Sequence, residues 1–170
     1  MNKSTTGETS HYRPLRIWIP VVLILLMGLS RFFAVWFPEV PMGWMVVSFV
    51  PPLSGIFILL WWMSLSRATW KERLAGLLGV MAAMVVAVFL MDKTMLGPPI
   101  TVLTLPTTTA AFAVVLILMS QRLSFQRTQL AVLLAFLVAG FSALLKNDGA
   151  TGDFNFGFDW RWRPTPEEIF

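Results

Sequence analysis

Five stretches of this chain, residues 16–37, 42–66, 74–91, 100–120 and 130–145, are almost free of charge and rich in Leu, Val, Ile, Phe and Met. A helix needs about 20 such residues to cross the hydrocarbon core of a bilayer. In that medium a backbone must satisfy its own hydrogen bonds, which leaves helices or closed barrels. The runs are continuous rather than alternating, so they predict an all-α membrane protein: a five-transmembrane helix bundle with a short extended C-terminal tail. The fifth run is the shortest and is expected to draw on its polar flanks. Arg13 and Arg16 precede the first run as in a signal peptide. Its apolar core is too long for one, and no small-x-small cleavage site follows, so it reads as a retained anchor. Charged residues make up 13% of the chain, against about a quarter in soluble domains.

Basic residues orient the spans. Lys3, Arg13, Arg16, Arg67, Lys71, Arg73, Arg122 and Arg127 fall at one side, and Arg31, Lys93, Lys146, Arg161 and Arg163 at or beyond the other. The positive-inside rule then predicts a cytoplasmic tail over 1–15, a transmembrane domain over 16–146, and an outward-facing linker and strand over 147–170. The C-terminus is accordingly expected on the outer side of the membrane. Trp18, Trp61, Trp62 and Trp70 are expected at the inner interface, Trp36 and Trp44 at the outer one.

Small residues recur every fourth position in two spans: Ala75, Gly79, Ala83 and Ala87 in the third, and Ala131, Ala135, Ala139 and Ala143 in the fifth. Helices in lipid associate through close packing, so both seams are expected inside the bundle, facing each other. Pro51-Pro52 and Pro106 should free carbonyls one turn earlier, with Thr107, Thr108 and Thr109 placed to bond back to them. Arg31 is the one charge expected within a span, near enough to the outer end to snorkel. His11 stands alone, there is no cysteine, and no phosphate loop, catalytic triad or haem-ligand pattern appears. Catalytic, cofactor-binding and metal-ligating residues are therefore expected to number none in this chain. The charge clusters fit membrane topology rather than a nucleic-acid surface.

The tail carries the most distinctive wording. Phe154, Phe156, Phe158, Trp160 and Trp162 alternate with non-aromatic residues, the pattern of a half-buried strand that would dock on a sheet. Thr165-Pro166-Glu167-Glu168 then reads as a capping box. The spans offer no sheet, so the strand is expected to stay poorly ordered or lie loosely against their outer ends until a further domain or a separate partner completes it.

The layout, with "GDFNFGFDWRWRPTPEE" after the spans, resembles the N-terminal membrane region of bacterial PQQ-binding-like β-propeller repeat proteins. It is similar to the five-span anchor of membrane-bound quinoprotein glucose dehydrogenases. The resemblance implies an anchor in a bacterial inner membrane, its C-terminus in the periplasm, that tethers an extracytoplasmic propeller not contained in this chain. It implies pyrroloquinoline quinone and calcium in that propeller, alcohol or sugar oxidation there, and electron delivery to ubiquinone. Two other readings stand beside it. One is a small membrane protein whose aromatic tail docks on a partner; the other is a quinone-binding redox subunit using the proline-kinked spans.

Overall fold

The computed structural model describes residues 15–37, 39–40, 43–121, 124–150 and 156–164. Within them lie five long helices and one small sheet. The helices are α1 (Trp18–Trp36), α2 (Gly43–Ser64), α3 (Trp70–Leu90), α4 (Leu105–Leu118) and α5 (Ser124–Ser142). The strands β1 (Leu145–Ala150) and β2 (Phe156–Trp160) follow. A 3-10 turn at Lys93–Met95 and a π-helical turn at Ile100–Thr104 lie between α3 and α4.

Four helical segments are long and apolar enough to cross a membrane: Gly43–Ser64, Trp70–Leu90, Ile100–Leu118 and Phe125–Ser142. The corresponding stretch of α1, Trp18–Phe33, is shorter. The distribution of side chains agrees with lipid surroundings. Phe89 is 83% exposed and Leu118 73%, whereas Ser54, Thr104, Thr108 and Thr109 are buried. Water would favour the opposite arrangement.

The order of the helices in space departs from their order in the chain. The packing runs α1 on α2, α2 on α4, α4 on α5, and α5 on α3. One core cluster joins Trp61, Trp62, Val80, Phe112, Leu116, Ala131 and Ala135; a second, toward the sheet, joins Ala83, Ala87, Met91, Met95, Ala139 and Ala143. The small residues of α3 and α5 thus lie together. At Gly79 the approach is closest, since a Cβ there would sit 2.5 Å from Val132 Cγ2. The α3 seam departs from its expected course at one end. Ala75 is exposed, and Gly76 is the buried residue, against Trp62 and Phe112.

The tryptophans divide differently from the expected belt. Trp18, Trp36 and Trp70 are exposed, but Trp61 and Trp62 are buried. Trp62 stands edge-on to Phe112 and donates its indole N–H to the Arg73 carbonyl at 3.0 Å. Near the end of α2 an interfacial position is expected for both, but they join Phe112 and Leu116 of α4 in the core instead.

The helix starts also precede the apolar runs. Apolar residues begin at 74 and 130, but α3 begins at Trp70 and α5 at Ser124. Thr69 and Glu72 form a reciprocal capping box that satisfies the first amides of α3. Arg73 returns across the α2–α3 turn, donating to the carbonyls of Met63 and Ala68, and so occupies acceptors that the end of α2 leaves open.

Candidate functional site

Two polar assemblies stand at opposite ends of the bundle. The first is buried. Arg127 Nε donates to Glu72 Oε1 at 2.9 Å, and its Nη2 to Oε2 at 3.3 Å. The Thr128 hydroxyl donates to Oε1 at 3.1 Å, and the Thr69 amide to Oε2 at 3.2 Å. Glu72 is 3% exposed and Arg127 1%. Hydropathy assigns both residues to loops. The early starts of α3 and α5 bring them face to face inside the bundle instead. The Thr-x-x-Glu spacing at 69–72 was the available signal for the first of these starts. With both carboxylate oxygens engaged, the pair ties α3 to α5.

Arg31 makes a further tie between helices. Its Nη2 donates to the Val102 carbonyl at 2.5 Å. Pro106 has no N–H to offer that carbonyl, four residues before it, and the π-helical turn ends immediately upstream. Arg31 therefore joins α1 to the loosened start of α4. Thr107 donates to Leu103 and Thr104, and Thr109 to Leu105 and Pro106, all within their own helix. α2 continues through Pro51 and Pro52 without a break.

The second assembly is the hairpin, and it corrects the expectation that the tail strand lacks a sheet. β2 pairs antiparallel with β1, in the register Leu145 to Trp160, Lys146 to Asp159 and Asn147 to Phe158. Residues 145–150 contain little that favours a strand, which is why the sequence conceals β1. A bulge between Asn147 and Gly149 admits the extra Asp148, and Gly149 takes the positive φ of 132°.

The hairpin is fastened to the ends of α3 and α5. Arg161 Nη1 donates to the Leu90 carbonyl at 3.1 Å, and its Nε lies 3.8 Å from Asp92. The Asn147 amide donates to the Thr94 hydroxyl at 3.1 Å. Lys146, almost wholly buried, donates to the Arg163 carbonyl at 2.6 Å and lies 3.5 Å from Asp148. The Thr94 backbone N–H, bonded to Asp92, holds that carboxyl below the usual carboxylate range, with a further contribution from Arg161. Asp92 therefore stays charged toward Arg161 at neutral pH.

Of the five aromatic residues expected to share one strand face, Phe154 lies outside the described residues, as do His11 and the capping box at 165–168. Phe156, Phe158 and Trp160 are alternate residues of β2, and Trp162 follows it. Phe156 and Phe158 have ring centres 6.3 Å apart, and Trp160 stacks on Trp162 at 5.1 Å. Trp160 also meets Phe141 of α5 edge-on at 5.8 Å. Ala131, Ala135 and Ala139 are buried along α5 and Ala143 just beyond its end, as are Ala83 and Ala87 along α3. Among the described residues no three His, Cys, Asp or Glu side chains group as metal ligands would. No protein-family model, curated protein or solved structure matches this chain.

Proposed function

We propose that this chain is a five-span membrane anchor that holds an extracytoplasmic β-domain against the membrane surface. The observation that carries the reading is the fastening of the hairpin through Arg161 to Leu90 and Asp92. It turns the residues after the last helix into a fixed mount rather than a loose leash. α1 completes the anchor as a fifth span: its 19 residues rise about 28 Å, close to the hydrocarbon thickness. An odd number of crossings, with the basic clusters inside, supports an outward-facing hairpin.

The mount suits a partner that offers a strand. Since the Asn147 amide turns to Thr94, the Asn147–Phe158 pair is of the non-hydrogen-bonded kind. The N–H and C=O of Phe158 accordingly point to the far edge of β2, where the described residues supply no third strand. A β-propeller of the PQQ-binding-like repeat type, implied by the sequence resemblance, would add a blade edge there. Pyrroloquinoline quinone, calcium and the oxidation chemistry would belong to that propeller.

Alkaline phosphatase fused after Pro164 should be active in cells, and fusions after Arg67 or Gln121 inactive. An inactive Pro164 fusion with active loop fusions would overturn the reading.

A further inference from the structure

We infer that the Trp160–Trp162 corner of the hairpin is a lipid-binding surface, seated in the headgroup region of the leaflet at that end of the bundle. The inference rests on the membrane reading above and adds an orientation for the hairpin. Leu133, Leu137 and Phe141 recur at intervals of four along α5, and Leu144 follows in the turn after it; they are exposed by 55%, 62%, 52% and 45%. Such spacing makes one stripe, on the face of a helix apolar enough to span a membrane. The stripe does not stop where α5 ends. Phe141 meets Trp160, and Trp160 stacks on Trp162, which is 68% exposed.

The occupant follows from this continuity. The medium covering Leu137 extends along the same face to the indoles, and at its edge it is the headgroup layer, where tryptophan is favoured. Arg161 and Arg163 flank the stack with side chains 53% and 62% exposed. Each keeps a carboxylate partner, Asp92 and Asp159 respectively, and retains donors for lipid phosphates. Gly157 and Asp159 alternate with the aromatic residues and belong to the opposite face of β2, where Gly157 is exposed. The hairpin thus lies along the membrane rather than standing away from it.

The chain contains no cysteine, so single substitutions can carry an environment-sensitive fluorophore without further changes. In vesicles of phosphatidylcholine and phosphatidylglycerol, a label at Leu137→Cys should be quenched by deep nitroxide lipids. A label at Trp162→Cys should be quenched by headgroup-level nitroxide lipids, and one at Gly157→Cys by aqueous iodide instead. If Leu137 responds and Trp162 behaves like Gly157, the inference fails while the membrane reading stands. If Leu137 does not respond, both fail. Protection of Trp162 from lipid and aqueous quenchers alike would indicate a protein partner and also overturn the proposal. Because the label replaces an indole, the native chain supplies a second measurement. Trp162→Phe should reduce the fraction of tryptophan emission quenched by lipids brominated near the headgroup, and an unchanged fraction would contradict the proposal.

Discussion

Replacing Glu72 by Ala should destabilise the bundle by about 3–5 kcal/mol, because it leaves the Arg127 guanidinium buried without its carboxylate. The site allows no easy escape to solvent, since Arg127 is 1% exposed and lies inside the α3–α5 contact. The same substitution removes the Glu72 half of the capping box, leaving the Thr69 amide without its carboxylate acceptor. A buried pair is costly to break yet seldom superior to a packed apolar pair. The double variant Glu72→Met with Arg127→Met should therefore recover most of the loss, apart from the cap. Thermal unfolding in detergent would check both. A Glu72→Ala chain as stable as the parent would show that the pair does not join α3 to α5.

The second large effect is expected at Gly79. Any side chain there begins 2.5 Å from Val132 Cγ2 and 2.6 Å from Val132 Cγ1. Valine is stiff at χ1, so rotation offers little relief, and the helices must separate. Overpacking of this kind costs about 1–3 kcal/mol. Gly79→Leu should thus loosen α3 from α5, lowering the unfolding temperature and exposing α3 to labelling. Ala75→Leu is the matched control, because Ala75 faces outward and should change stability by under about 0.5 kcal/mol. Trimming Val132 to Ala should rescue Gly79→Ala. Equal effects at positions 75 and 79 would contradict the packing described.

Hydropathy reveals the helices of this chain because each apolar run is long and uninterrupted. It misplaces their starts, since the first turns of α3 and α5 contain Glu72 and Arg127 and look like loop. Charge counting consequently overlooks the Glu72–Arg127 ion pair inside the bundle, whose members stand 55 residues apart in sequence. The four-residue spacing of small residues identifies Ala83, Ala87 and the α5 series as buried, but misses Gly76. Spacing describes a stripe on an ideal helix, whereas Gly76 is set by the indole of Trp62, which no periodicity reports. Aromatic alternation identifies β2 correctly. Its partner β1 is hidden in Leu-Lys-Asn-Asp-Gly-Ala, where the local preference is for a turn and only pairing with β2 makes a strand. Arg31 is legible as a charge near a helix end, but its acceptor is not, because the open carbonyl of Val102 is created by a proline 75 residues away.

The central claim is that the hairpin belongs to the bundle, and hydrogen exchange on the 170-residue chain in vesicles tests it most directly. The Arg161 amide, bonded to the Leu144 carbonyl at 2.9 Å, and the Asn147 amide, bonded to Thr94, should exchange far more slowly than free peptide. Arg161→Ala removes the ties to Leu90 and Asp92 and should speed exchange across both strands while the helices stay protected. Exchange at free-peptide rates over 145–160 in the parent chain would contradict the account: the tail would then be a leash, and the mount would have to come from elsewhere.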